Sequence, residues 1–428
     1  MNDRHFATGL GKVLIYLRII LHIPCYYAVR PRFFSSPLGY FRFLRRALQL
    51  LFVFRHNKIV RVNAGYKLHL YLPAYPSPAF FYAIESKLLR SPPGPTTIVF
   101  SMTKACSYRC QHCYQRNDAA TDLDETLMIR TAQAVRDTGV AMFDIEGGEP
   151  FLRFPRLLKL VQALDARCEV WVNTTGANCQ PGMLDELQKA GLFGLMISVH
   201  SPDRDKHDAF TGVPGAFDTA CAMVRTGRQM GLVVAFNSVL SEEEIRHGGL
   251  DRLMELAREL DCDYVQLIHP KPAGLWIGRT EGMQTDAALI RSVQQAHIRY
   301  NSRGMHAYPA LAAQVFEERK DVLGCTSGGV DRYYVGASGE VQPCEFLNFS
   351  FGNVKEEPFA LIYARMRSFF PSPCQDWLCC TQAEVVQRLF AQTGLTQTPL
   401  PWKVTQELVA SWDRGLPTPI YKRLGIYK

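Results

Sequence analysis

Between Thr97 and Pro270 short apolar runs and amphipathic stretches alternate six times, and no other feature limits the fold of this chain as strongly. The runs lie near Thr97–Met102, Val140–Ile145, Cys168–Asn173, Gly194–Val199, Leu232–Val239 and Asp263–Ile268. Helical patterns fill the intervals, for example Leu123–Thr138 and Glu242–Leu260. Short runs rich in β-branched residues and bounded by turn signals read as buried strands. Their regular alternation with helices predicts an α/β fold with a parallel sheet. Ligands in such folds bind at the carboxyl ends of the strands, so the residues after each run are where chemistry is expected.

The first run leads into Ser101-Met-Thr-Lys-Ala-Cys106-Ser-Tyr-Arg-Cys110-Gln-His-Cys113-Tyr114. Three cysteines so close in one loop must converge on a single centre. A [4Fe–4S] cluster is held by cysteine thiolates and normally takes four; three without a fourth leave one iron open to another ligand. A structural zinc site usually closes with four ligands drawn from paired units. Here His112 is the only local spare, and Gln111 and Cys113 flank it. The chain has 13 cysteines, concentrated in this loop and in one C-terminal segment, and no secretory signal. That distribution suits metal ligation in a reducing compartment better than a disulfide framework. Cys25, Cys168, Cys179, Cys221 and Cys262 are scattered in apolar or helical contexts and read as structural thiols.

The spacing Cys106-x3-Cys110-x2-Cys113 resembles the signature of the radical S-adenosylmethionine (radical SAM) superfamily. The resemblance implies a partial (β/α)6 barrel and a catalytic [4Fe–4S] cluster. In that family the open iron is chelated by the amino and carboxylate groups of SAM. One electron, from a donor of flavodoxin or ferredoxin type, splits the sulfonium into methionine and a 5′-deoxyadenosyl radical that takes hydrogen from substrate. The second strand ends in Asp144-Ile-Glu146-Gly147-Gly148-Glu149-Pro150. Its glycines let backbone approach a ligand, and Glu149 is expected to place a carboxylate there. The motif resembles the family's GGE, whose backbone receives the SAM amino group, a role that falls here on Gly147, Gly148 and Glu149. The third and fourth strand ends carry Asn173-Thr174-Thr175-Gly176 and Ser198-Val-His200-Ser201. Asn173 and Ser198 are candidates for ribose or carboxylate contacts, whereas His200 reads equally well as a core histidine. Asn237 and Gln266 are candidates for adenine contacts. His207-Asp208-Ala-Phe-Thr211-Gly212-Val-Pro-Gly215 resembles a short motif of many relatives and can be read simply as a turn.

Downstream, Cys325-x13-Gly339-x4-Cys344 resembles the opening of the SPASM/twitch extensions that carry auxiliary Fe–S clusters. Ala337-Ser-Gly339 reads as a hairpin turn that brings the chain back toward Cys325. The later cysteines of a full SPASM run are missing, and only Cys374-x4-Cys379-Cys380 follows. A single twitch-like second [4Fe–4S] cluster is therefore expected on Cys325, Cys344, Cys374 and either Cys379 or Cys380. Zinc on four cysteines is the alternative.

The net charge of +8 is unevenly spread. Residues 1–61 hold eleven Lys or Arg against the single acid Asp3, a charge of +10, so the remainder is −2. Val13–Ile23 carries Arg18 and His22 and ends at Pro24; a spanning helix wants about 20 predominantly apolar residues, and no cleavage site follows. Ser36-Pro37 opens a helix with serine as cap and proline in the first turn. On a wheel Phe41, Leu44, Leu48, Leu51 and Phe52 face one way, and Arg42, Arg45, Arg46 and Gln49 the other. Such a basic amphipathic helix suits an anionic membrane interface or packs on the catalytic body. Val60–Tyr71 reads as a strand or hairpin, residues 60–90 as a hairpin segment that could dock a peptide, and Ser91–Pro95 as a stiff linker.

The expected organisation is a basic N-terminal segment (1–90), a radical SAM partial barrel (91–305), a small cysteine-rich auxiliary-cluster extension (306–384) and a helical tail (385–428). The expected protein is a cytoplasmic radical SAM enzyme, peripheral to the inner face of the membrane, acting on a peptide, lipid or small molecule. Recognition helices and aromatic-basic RNA platforms are not evident, so nucleic acid is not an expected partner. A non-enzymatic Fe–S electron carrier or zinc-bearing scaffold is the reading from another class. Gly147-Gly148-Glu149 argues against it, since a carrier needs no amino-acid pocket beside its cluster.

Overall fold

The computed structural model describes residues 6–30, 33–34, 36–62, 65–279 and 286–427. Ahead of the barrel come β1 (Phe6–Ala7), α1 (Gly9–Ala28), α2 (Pro37–Val53), β2 (Ile59–Val62), β3 (Gly65–Lys67) and α3 (Pro78–Leu88). The main sheet then takes β4 (Thr97–Ser101), β5 (Met142–Glu146), β6 (Glu169–Thr174), β7 (Leu192–Ser198), β8 (Val233–Ser238) and β9 (Tyr264–Leu267). It continues with β10 (Ala310–Ala313), β11 (Arg332–Val335) and β12 (Val341–Gln342). The strand order is β10-β9-β8-β7-β6-β5-β4-β11-β12. From β10 across to β11 every pairing is parallel, and only β12 pairs antiparallel, in a hairpin with β11.

The six runs that alternate with helices in the sequence all form parallel strands, each within a few residues of its expected place. Every residue of β4 and β5 is buried, as expected for strands covered on both faces. Besides β11, which pairs in parallel with β4, two features differ from expectation. A seventh strand, β10, joins the parallel set through the register Ala310↔Tyr264 to Ala313↔Leu267; its sequence, Ala-Leu-Ala-Ala, lacks the β-branched residues that mark a strand. The helix expected over 242–260 is two, Glu242–Arg246 and Gly249–Glu259, because Gly248 adopts φ +75° between them, a left-handed conformation that ends a helix.

Inward positions repeat every second residue along each strand, and they change character from end to end. Met142, Trp171, Met196, Val233 and Tyr264 near the amino ends join one buried apolar cluster. Two or four residues on, the same columns carry Asp144, Asn173, Ser198, Asn237 and Gln266. The barrel is thus filled at one end and polar at the other.

The N-terminal hairpin completes the filled end. Val60 and Leu70 are fully buried members of that cluster. Lys67 forms a buried ion pair with Glu169, whose other oxygen accepts the Ala74 N–H at 2.7 Å. The Trp171 indole donates to Glu169 at 2.8 Å. A buried ion pair repays its desolvation only when further hydrogen bonds satisfy it, and this one is so satisfied. The hairpin is therefore an internal closure of the barrel. Outside it, α1, α2 and α3 share a separate apolar core built on Ile19, Tyr27, Ala47, Leu51 and Phe80. As the sequence predicts, Ser36 Oγ accepts the Gly39 N–H at 3.1 Å with Pro37 in the first turn of α2.

Candidate active site

A cavity of about 540 Å³ opens at the carboxyl ends of the strands. Cys106, Cys110 and Cys113 all line it, Cys106 exposed and the other two half-buried. Their mutual proximity shows in their acidity: burial, then Cys113 and Cys106, push the Cys110 thiol up to about 12. Ligation would displace such protons. Across the cavity stand the polar tops of three strand columns, Asn173, Ser198 and Asn237. Gln266 instead bonds Tyr71 and lines a small neighbouring pocket.

Three segments hold the cysteine loop. Met102 extends the β4–β5 ladder by donating to Glu146 O at 2.8 Å. Gly148 and Glu149 then donate their N–H groups to Thr103 O and Ala105 O, both at 2.7 Å. A Cβ on Gly147 would stand 2.6 Å from Thr103 O, and one on Gly148 2.4 Å from Ala105 O. Both glycines are thus required by the close approach of the cysteine loop, as well as lying on the cavity wall. On the other side Arg109 and Gln111 donate to Thr211 O at 2.9 Å and Phe210 O at 3.0 Å. The motif read as a turn over 207–215 therefore docks the cysteine loop. Finally Leu275 N–H reaches Cys113 O at 3.2 Å, and Gly274 packs where any Cβ would strike the Tyr114 backbone at 2.1 Å.

Glu149 differs from the expectation of a carboxylate offered to a ligand. It is fully buried and does not line the cavity. One oxygen accepts from Thr174 Oγ1 at 2.7 Å and Phe151 N–H at 3.2 Å. The other accepts from Thr175 N–H at 2.9 Å and Thr175 Oγ1 at 2.6 Å. Its side chain brackets the loop after β5 to the loop after β6 and so fixes the floor beneath the cysteines.

Sequence reasoning missed an acidic wall. Asp144, Glu146 and Glu345 line the cavity together with Tyr71, which comes from the N-terminal hairpin. Tyr114 donates to Glu146, and Gln115 Nε2 donates to its other oxygen at 2.9 Å. Burial drives the Glu146 carboxyl up to about 8, and it raises Asp144 well above the usual carboxylate range, with Glu146 adding to the effect. The available signal was the alternation Asp144-x-Glu146 at the end of an otherwise apolar strand, which puts both acids on one face. His200 is buried and also lines the cavity. Its Nδ1 accepts Val239 N–H at 3.3 Å, and burial holds its ring neutral, assisted by His112 and His207.

The five C-terminal cysteines gather beyond the far wall. Cys325 and Cys374 exchange backbone hydrogen bonds at 2.7 and 3.0 Å, and the Cys374 thiol reaches Asp376 O at 3.5 Å. Cys379 and Cys380 are adjacent in the chain, with Cys344 acting electrostatically on Cys379 and Cys325 on Cys380. Cys325, Cys344 and Cys374 are buried. Two residues link this group to the cavity that they also line. Lys271 places Nζ 2.9 Å above the Trp377 ring, and Glu345 accepts from Cys344 Sγ at 3.1 Å. Among the described residues no three His, Cys, Asp or Glu side chains close on one ion-sized point, in either group.

The first site fits a [4Fe–4S] cluster with SAM beside it. Three thiols form one wall, Gly147 and Gly148 expose backbone, and Asp144 Oδ1 and Asn173 Oδ1 are buried acceptors without a partner in the protein. Buried acceptors are rarely left so, and a ligand bearing hydroxyl or amino groups would satisfy them. A parallel barrel presenting three thiols beside such a pocket defines an iron–sulfur enzyme that activates a small polar cofactor.

Residues 100–247 match the Radical SAM superfamily. These residues form a radical SAM domain, which implies a [4Fe–4S] cluster, SAM, and radical chemistry begun by SAM cleavage. The chain is similar to the AdoMet-dependent heme synthase of Methanosarcina barkeri, 24% identical over 300 residues, covering 64% of this chain and 84% of the synthase. It is also similar to the PqqA peptide cyclase of Granulibacter bethesdensis, 21% identical over 369 residues, covering 77% of this chain and 95% of the cyclase. Among solved structures it shares the fold of Streptococcus suis SuiB bound to precursor peptide SuiA, with a TM-score of 0.52 at 16% identity. That match covers 63% of this chain and 64% of SuiB.

Proposed function

We propose that Cys106, Cys110 and Cys113 ligate the catalytic cluster, and that Gly147, Gly148, Asn173 and Ser198 form the seat for SAM. The observation that carries this reading is that all seven residues line one cavity at the carboxyl ends of the strands. When bound, the cluster supplies the electron that cleaves SAM and starts hydrogen abstraction. The chain's own part is to hold the thiol loop rigid through Glu149, Phe210 and Thr211, and to place the buried carboxyl groups of Asp144 and Glu146, both raised by burial, in the cavity wall. Reduction is assigned to a donor of flavodoxin or ferredoxin type. Cys325, Cys344, Cys374 and one of Cys379 or Cys380 are assigned to a second [4Fe–4S] cluster, supported by their gathering next to Lys271 and Glu345 at the cavity wall.

For substrate we favour a peptide. Support comes from the similarity to a PqqA peptide cyclase and the fold shared with a precursor-peptide-bound SuiB. A tetrapyrrole is the second reading, favoured by the similarity to a heme synthase. The basic N-terminal segment supports peripheral attachment to the inner face of a membrane. The test is anaerobic reconstitution with iron and sulfide, reduction, and measurement of 5′-deoxyadenosine. Formation that requires both SAM and the three cysteines is expected; formation that survives their replacement would overturn the assignment.

A further inference from the structure

Helix α1 is apolar on two opposite arcs, and only one of them meets the protein. Ile15, Ile19, Ile23 and Tyr27, four residues apart, are buried in the core shared with α2 and α3. On the opposite arc Leu10, Val13, Leu14, Leu17 and Leu21 face outward, with Leu10, Leu14 and Leu21 at 74%, 58% and 68% exposure. These positions are spaced for one helix face, and no charged residue interrupts them; Arg18 lies at the border. A contiguous aliphatic stripe along a helix about 30 Å long is more apolar surface than an unpartnered face normally shows.

The adjoining helix adds charge to this face. In α2 the buried residues are Phe43, Ala47 and Leu51. Leu38, Phe41 and Phe52 are exposed, interleaved with exposed Arg42 and Arg45. The outward arc of α2 is thus mixed aromatic and basic, where the sequence pattern had separated the two. Phe52 lies 6.4 Å from Tyr16 of α1, so the two arcs adjoin. Arg46 is not available, since its guanidinium donates to Leu424 O at 2.7 Å and Gly425 O at 2.6 Å.

Resting on the reading of the N-terminal segment as membrane-attached, we propose that α1 lies flat in the surface of an anionic bilayer. Its Leu10–Leu21 face enters the acyl boundary, while Arg42 and Arg45 of α2 meet headgroup phosphates. Although α1 has the length and composition to span a membrane, it is fastened lengthwise to the body. Lys12 Nζ donates to Arg55 O and Asn57 O, His22 bonds Tyr75, and Tyr40 Oη donates to Pro24 O at 2.9 Å. Spanning would strip Ile15, Ile19, Ile23 and Tyr27 from their core, whereas lying in the plane uses only the face already exposed. Charge complementarity selects the occupant. A second copy of this face would oppose arginine to arginine, but an anionic lipid surface neutralises them.

The test is flotation of the full chain with vesicles of phosphatidylcholine alone or mixed with phosphatidylglycerol, at low and high salt. Binding to the mixed vesicles is expected, weakened by salt. Leu14→Glu with Leu17→Glu, and separately Arg42→Glu with Arg45→Glu, should each lower partitioning by about 10-fold or more. Reduced, reconstituted variants should form 5′-deoxyadenosine in solution as the wild type does, which separates failure of this inference from failure of the enzymatic reading. Wild-type chain that stays unbound to the anionic vesicles would overturn the proposal. So would a dimer in lipid-free solution that the leucine variants dissociate, since the stripe would then be covered by a second copy.

Discussion

The two cysteine groups of this molecule differ in how they meet their surroundings. Cys106, Cys110 and Cys113 come from one loop, remain partly exposed, and face a cavity whose opposite wall holds unpartnered acceptors. Cys325, Cys344 and Cys374 come from separate segments, are buried, and do not line the cavity, which Lys271 and Glu345 link to them. A local loop leaves one coordination position free for an incoming ligand. A set assembled from distant segments is enclosed by the protein. The difference predicts division of labour: chemistry at the open group, and electron storage or structural closure at the buried one.

The strongest way to break that division is to exchange the consequences of losing each group. The triple variant Cys106→Ala, Cys110→Ala, Cys113→Ala should lose 5′-deoxyadenosine formation altogether. Cys325→Ala with Cys344→Ala should keep it while iron falls from about eight to about four per chain, one cubane's worth. The comparison is broken if the second variant loses SAM cleavage while retaining its first cluster, judged by iron content and EPR of the reduced protein.

A smaller effect is expected at the floor of the open group. Glu149→Gln would set an amide donor against the Thr175 N–H and replace a charged acceptor of four protein hydrogen bonds. Hydrogen bonds to charged groups contribute about 1.5–3 kcal/mol each. We expect at least one such increment of lost stability by urea unfolding, together with poorer retention of iron by the cysteine loop. An unchanged unfolding midpoint would show that the bracket is not needed to hold the loop.

The mildest prediction concerns the acidic wall. The Glu146 carboxyl is raised by burial from an ordinary 4.5 to about 8 in the folded chain. A raised carboxyl favours the native state fully below the unfolded value, and that contribution is lost as pH rises through the folded one. Wild-type stability should therefore fall relative to Glu146→Gln between pH ~5 and ~8. Parallel urea midpoints for the two proteins across that range would show that the carboxyl is not held neutral.

What was legible in the sequence was whatever local pattern determines. The six alternating strands were readable because continuous apolar runs flanked by helices have few other solutions, and the cysteine loop because three thiols so close have few other uses. The strand β10 was hidden by its alanines. The bracket made by Glu149 was hidden because its partners, Thr174 and Thr175, are remote in sequence and carry no pattern pointing back. The burial of the hairpin was hidden for a related reason. Alternation marks a strand but not whether its apolar face meets solvent or a barrel interior, and the Lys67–Glu169 pair that decides the matter joins residues 102 apart. The helix α1 was discounted as a span on its Arg18 and Pro24, yet those residues leave its outward leucine face unbroken.

The central claim is that the open cysteine group alone carries SAM cleavage. It is tested most directly by reconstituting the triple Cys106, Cys110, Cys113 alanine variant anaerobically and measuring iron and 5′-deoxyadenosine on the same sample. The account predicts no 5′-deoxyadenosine and about four remaining irons, those of the buried group. Full iron content with undiminished 5′-deoxyadenosine would contradict it.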